Sequence, residues 1–187
     1  MEVKVIRSNR KTLSMSMKPE CLIVRAPLRT TDRRIQQYIE SNQAWIKKAA
    51  ARLERQQCEA NEAGPLTDED IRRLSAEARA YIPERVNYFA PQIGVTFGHI
   101  TIRCQKSRWG SCSARGNLNF NCLLMLTPQS VIDSVVVHEL CHRKEMSHSD
   151  RFYQEVLRVC PDYWEQHKWL KEHGGAIMQR ARVHENG

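Results

Sequence analysis

Along residues 2–27 the hydrophobic positions fall in short alternating runs, VKVIR, TLSMSM and CLIVRAP, separated by SNRK and KPE. Period-two patterning bounded by polar turn residues predicts about three strands, an N-terminal antiparallel β-meander over residues 1–30. The period then changes. Ile35, Tyr38, Ile39, Trp45, Ile46, Ala49 and Leu53 recur at helical spacing behind a Thr31 cap with Asp32 in the first turn. That spacing predicts a helix to about residue 56. QCEANEAGPL (57–66) reads as a linker or exposed loop. Thr67-Asp-Glu-Asp70 opens a second helix, with Ile71, Leu74 and Ala78 on one face. Pro83 should kink or restart it before it continues through Val86 and Phe89.

Residues 95–126 read as strand, long loop, strand: VTFGHITIRC, QKSRWGSCSARG and NLNFNCLLML. Thr127-Pro128 begins a helix carrying VIDSVVVHELCHRKE, since proline is favoured in a first turn. Ser149 caps another helix through Val159, and Pro161 breaks it. A last helix over roughly 162–173 is expected to stop at Gly174-Gly175. There is no internal repeat. Strands, helices, strands and helices in that order predict the α+β class, not a regularly alternating parallel sheet.

Composition narrows the setting. The chain has 187 residues, 41% hydrophobic and 27% charged, enough for one domain with a real core. No apolar run approaches the ~18 residues that span a bilayer, and MEVKVIRSNRK lacks the apolar stretch of a secretory signal. The seven cysteines (21, 58, 104, 112, 122, 141 and 160) are odd in number and form no CxxC pair. Reduced thiols in a cytoplasmic protein are the natural expectation. The net charge of +8 favours anionic partners, nucleic acid and nucleotides among them. Solubility explains it as well, because RTTDRRIQQ and ERQQCEANEA mix bases with acids.

The chemistry concentrates in VVVHELCHRKEMSHSDRF, residues 135–152. On a helix, His138 and His142 stand one turn apart on one face and can direct ring nitrogens at one ion. Glu139 sits beside that line, placed to take a proton from an activated water, which is the mechanical content of H-E-x-x-H. Zinc is the default ion for such a set, with other divalent metals open, and catalytic sites use three protein ligands. The third ligand is expected to be His148, six residues after His142, where the chain can turn back at Met146-Ser147. Glu145 stands where the related H-E-x-x-H-x-x-G-x-x-H pattern has glycine. Glu155 is the alternative third ligand. Val131, Val135, Val136 and Leu140 give the helix a buried side against which ligands can be held. Cys141 belongs to that core. His99, His167, His173 and His184 show no partner pattern and take no role.

KSRWGSC (106–112), then a hairpin and a proline, then VVVHELCHRKEMSHSDRF together resemble the YgjP-like metallopeptidase domain family, related to the SprT-like and WLM zincins. Weaker agreement runs from RSNRKTLSMSM through APLRTTDRRI to CPDYWEQHKWLKEHG. The resemblance implies a zincin-like core, a small antiparallel sheet with an HExxH helix, joined to the N-terminal β-meander and long helices. It implies His138, His142 and His148 as ligands and Glu139 as base. Many members carry tryptophan or arginine near the end of the second strand, where this chain has Cys122 and Leu123. The expected layout is one domain over residues 1–187, with a helical segment at 31–93, the metal-binding core at 94–175 and a tail at 176–187.

The RWGSC loop has its own reading. Lys106 or Arg108 could bind an anionic group or steady an oxyanion, and Trp109 reads as a packing anchor. Cys112 reads as a small buried thiol, with a reactive thiol or a latency-type ligand as the alternatives. Three reactions follow. A peptidase would pair an extended peptide with the strand around 117–122. A nucleoside triphosphate pyrophosphatase, an activity the resemblance leaves open, would need cations converging on the metal. A DNA-associated protease is suggested by the net charge, but no nucleic-acid-binding motif is present.

Overall fold

The structure is a computed structural model and describes residues 2–182. The chain divides into two compact units, Met1–Glu59 and Ala60–Gly187.

The first unit holds strands β1 (Glu2–Ser8), β2 (Ser14–Met17) and β3 (Cys21–Pro27), helix α1 (Asp32–Ser41) and most of α2 (Gln43–Ala63). Alternation placed the strands correctly but not their order. The sheet runs β1-β3-β2, with β3 parallel to β1 and antiparallel to β2, so it is no meander. The reason is burial: Leu22, Val24 and Ala26 give β3 a wholly apolar face that packs with Ile35, Ile39 and Ile46. The most apolar strand takes the centre, and β1, exposed along its length, takes an edge. The single predicted helix is two, because the Asn42 side chain turns back to donate to the Tyr38 carbonyl at 2.8 Å. In turn α2 absorbs the predicted linker up to Ala63, ending where Gly64 (φ 70°) supplies the left-handed conformation.

The second unit begins with α3 (Asp68–Ile93), opened by a reciprocal cap between Thr67 and Asp70 and continuous through Pro83. Strands β4 (Ile100–Arg103), β5 (Gly110–Cys112) and β6 (Leu118–Asn121) follow. The predicted long loop therefore contains a strand. The sheet order is β4-β6-β5, with β6 parallel to β4 and antiparallel to β5, so the expected antiparallel sheet is mixed. Fully buried Leu118 and Phe120 make β6 the central strand. A 3₁₀ turn over Cys122–Leu126 leads to α4 (Gln129–Cys141), α5 (Asp150–Val159) and α6 (Tyr163–Arg182). Leu74, Ile82 and Val86 of α3 share a core with Phe120, Val136, Leu140 and Phe152. Arg85 clamps Asp133 through two hydrogen bonds of 2.7 and 2.9 Å, tying α3 to α4.

Helix α6 runs straight through Gly174-Gly175, where the sequence predicted a stop. Each glycine costs a helix about 1 kcal/mol. Burial of Ala176, Ile177 and Met178 beyond them offsets that cost. Gly174 has a further reason to be glycine. A Cβ there would lie 2.8 Å from the Trp109 indole, which uses the bare backbone as its seat. Trp109 is thus the packing anchor expected of it.

Candidate metal centre and cleft

The last turn of α4 carries His138 and Glu139, and His142 follows as its C-cap residue. The chain then turns, and Ser149 starts α5 by accepting a hydrogen bond from the Phe152 backbone N–H. That short reversal brings His148 back over the helix. The Nε2 atoms of His142 and His148 lie 3.2 and 3.1 Å from the Nε2 of His138. The three rings are the one group of three or more potential ligands among the described residues, and Glu155 is not in it. Glu155 instead accepts from Lys144 at 2.8 Å and from Arg158 at 3.1 Å.

What holds the rings is visible in outline. His138 Nδ1 meets the Tyr163 hydroxyl at 2.9 Å, and His142 Nδ1 meets the Glu145 carbonyl at 3.1 Å. Both outer nitrogens are engaged, so both inner ones face the same point. Phe152, fully buried, packs against all three imidazoles with centroid separations of 4.9, 4.5 and 5.0 Å. Burial drives His138 down to about 3, helped by its two neighbouring histidines, and lowers His142 as well. Neutral imidazoles are the form that binds metal. The spacing agrees too. Zinc–nitrogen bonds of 2.0–2.1 Å in a tetrahedron put ligand nitrogens about 3.3 Å apart, close to the two separations here. The donor set fits a divalent ion.

Glu139 is buried, 6% exposed, and desolvation pushes its carboxyl up to about 8. Its close neighbour is Gly110 at the start of β5. A Cβ on Gly110 would fall 2.6 Å from Glu139 Oε1, so only glycine lets strand and carboxylate approach this far. Arg143, next after His142, donates to the Thr96 and Ala114 carbonyls and lies over Gly116, whose φ of 83° and missing Cβ make room for it. At the end of β6, buried Asn121 donates to the Gln105 and Arg108 carbonyls at 2.8 Å each and accepts from Leu123 N–H. The Asn121 contacts fix the RWGSC loop to the end of β6.

Two adjoining cavities result. One, of about 300 Å³, is lined by Arg108, Gly110, Ser111, Cys112, His138, Glu139, His142, Met146 and His148. The other, of about 250 Å³, opens from it between α4, α6 and the loop. Arg108 lines both, whereas Lys106 lines neither. Cys112 is half-buried at the cleft wall, its thiol raised by burial and by Glu139. The strand expected to take a peptide, around 117–122, is the central β6 and has no free edge; β4 and β5 are the edge strands, and β5 is the one that lines the cleft. Sequence reasoning also passed over Tyr163, Phe152, Asn121 and His167. One signal was available, since Tyr163, His167, Leu170 and Gly174 recur every three or four residues and form the stripe of α6 that meets the site.

The site thus combines an HExxH helix, a ring from the loop after it and an edge strand across from it. The chain belongs to the YgjP-like, metallopeptidase domain family, whose profile matches residues 11–74 and 67–173. It is a metal-dependent hydrolase of the metallopeptidase kind, acting on peptide or protein substrates. Among solved structures it is similar to the metallopeptidase zymogen abylysin of Pyrococcus abyssi, at 20% identity and a TM-score of 0.44, over 48% of this chain and 92% of that one. It is also similar to the metallopeptidase zymogen jannalysin of Methanocaldococcus jannaschii, at 19% identity and 0.40, over 47% and 94%. No curated protein matches it. No described helix is long and apolar enough to cross a membrane.

Proposed function

We propose that the protein hydrolyses peptide bonds with zinc held by His138, His142 and His148 and with Glu139 as general base. The observation that carries this is the convergence of three inner imidazole nitrogens beside a buried carboxylate in an open cleft. When bound, the ion supplies Lewis acidity to a carbonyl and makes a water acidic near neutral pH. A set of three imidazoles suits zinc better than calcium or magnesium, which prefer oxygen. Tyr163 and the Glu145 carbonyl keep the ring orientation. Glu139 takes the proton from the attacking water and returns it to the leaving amine. The open edge of β5 offers backbone groups to an extended substrate, and Arg108 stands where it can hold a carbonyl oxygen or a carboxylate.

Phosphoanhydride hydrolysis needs several cations around the rings. Among the described residues lining the first cavity, Arg108 is the one lysine or arginine, which favours the peptide reading. A nucleic-acid partner rests on net charge alone. A cytoplasmic location rests on the number and spacing of the cysteines.

The test is a paired assay. Wild type and Glu139→Gln, with zinc content verified by elemental analysis, are incubated with a denatured-protein peptide library and with nucleoside triphosphates. New peptide termini made by wild type and reduced on the order of 10²–10⁴-fold in the variant support the proposal. Nucleotide turnover without peptide cleavage would overturn it.

A further inference from the structure

The second cavity has a chemistry distinct from the first. It is lined by Trp109 and Gly110 from the loop and β5, by Ser134, Val135, His138 and Glu139 on α4, and by Tyr163, His167 and Leu170 on α6, with Arg108 at its mouth. Two of its hydroxyls are already engaged within the protein. The Ser134 hydroxyl donates to the Val131 carbonyl at 2.8 Å, and the Tyr163 hydroxyl is engaged with His138 at 2.9 Å. His167 stacks on the Tyr163 ring at a centroid separation of 5.8 Å, and burial lowers its basicity. The apolar part of the lining, which is the larger part of its surface, is the indole of Trp109, the Val135 and Leu170 side chains and the Tyr163 ring.

Size and position say what enters. At about 250 Å³ the cavity is smaller than the ~300–1,000 Å³ of sites that hold a whole small molecule, and it suits one large side chain. Arg108, Gly110, His138 and Glu139 line both cavities, so the opening between them lies at the proposed reaction centre. Successive residues of an extended peptide advance ~3.3 Å, so a side chain dropping through that opening belongs to a residue flanking the bond cut.

We propose that this cavity is a specificity pocket that selects substrates with a large apolar residue, leucine, methionine or phenylalanine, beside the scissile bond. The inference rests on the peptidase reading above for its site of use, but the pocket itself stands on its lining. A polar side chain entering would exchange water for walls that are mostly apolar, and a small one would leave the cavity unfilled.

The experiment compares zinc-loaded wild type, Leu170→Trp and Val135→Leu on paired peptides that differ only in phenylalanine or alanine at the flanking positions. The readout is the ratio of kcat/KM for the two peptides. Wild type should prefer phenylalanine by about 10–200-fold, the range a hydrophobic pocket gives. Filling the cavity should lower that ratio in both variants; Val135→Leu, the milder change, carries the test if Leu170→Trp does not fold. No preference in wild type, a preference for small or polar residues, or a ratio unchanged in a folded variant would overturn the proposal. If wild type cleaves no peptide, the peptidase reading fails, and the pocket is decided by binding. N-acetylphenylalaninamide, and not N-acetylglycinamide, should then shift the indole emission of wild type and fail to do so in the filled variants; no shift in wild type would sink the pocket as well.

Discussion

The two small sheets of this protein have one topology and two fates. In each, the last strand in sequence is central, parallel to the first and antiparallel to the second. In β1-β3-β2, residues 9–13 join the first two strands, and an edge is left with Val3, Val5 and Ile6 exposed at 43, 43 and 45%. In β4-β6-β5, the longer 104–109 connection is pinned by Asn121, and the second strand begins at a glycine that admits Glu139. A strand order does not make a site. The site comes from what the second strand carries and from how closely a helix can approach it.

Gly110→Ala should have the largest effect on that contrast. Its new methyl would displace Glu139 or β5, and a misplacement of about 1 Å can lower turnover on the order of 10²-fold. The matching first residue of β2 is Ser14, and Ser14→Ala should leave peptide cleavage unchanged. Parallel assays with zinc content measured in both would show it; equal activity of the two variants would break the comparison.

Tyr163→Phe removes the group that meets His138 Nδ1 and should weaken zinc binding by about 10–100-fold, measured by competition with a chromogenic chelator. An unchanged affinity would mean that Phe152 and the backbone alone orient the ring.

Asn121→Ala strands the Gln105 and Arg108 carbonyls and the Leu123 N–H. It should destabilise the protein by about 2–4 kcal/mol in urea, several buried hydrogen bonds being lost at once. A cost near zero would show that the loop is held by Trp109 in its seat on Gly174.

The smallest effect concerns the start of α3. The Thr67 N–H and hydroxyl hold Asp70 down to about 2, so the ionised form is favoured in the folded state. With the folded value below the ordinary one of about 4, its contribution is present above pH 4 and fades as pH falls towards 2. Urea melts of wild type and Asp70→Asn should differ at pH 6 and converge near pH 2. A gap independent of pH would assign the cap to geometry and not to charge.

The parts legible in sequence were those set by short separations. His138 and His142 lie one helical turn apart, and the cap at Ser149 is written in four residues, so spacing alone placed the rings and the reversal. Sheet order was hidden because β5 is three residues long, too short for alternation to show. Whether β3 or β2 is central depends on burial against Ile35, Ile39 and Ile46, a contact that spacing within a strand does not encode. Gly174 read as a stop because its partner, Trp109, lies far away in the chain. The Tyr163–His138 hydrogen bond is equally non-local.

The exposed ring of His148 sits immediately before Ser149, the cap of α5, while its companions end α4. A single ion shared by the three would close the chain between those helices as a crosslink does, one that can be put in or taken out reversibly. Occupancy and folding are then linked, and the melting temperature should climb with free zinc even for a catalytically dead Glu139→Gln protein. A melting point indifferent to zinc would mean that the turn at 142–149 is already held shut without it.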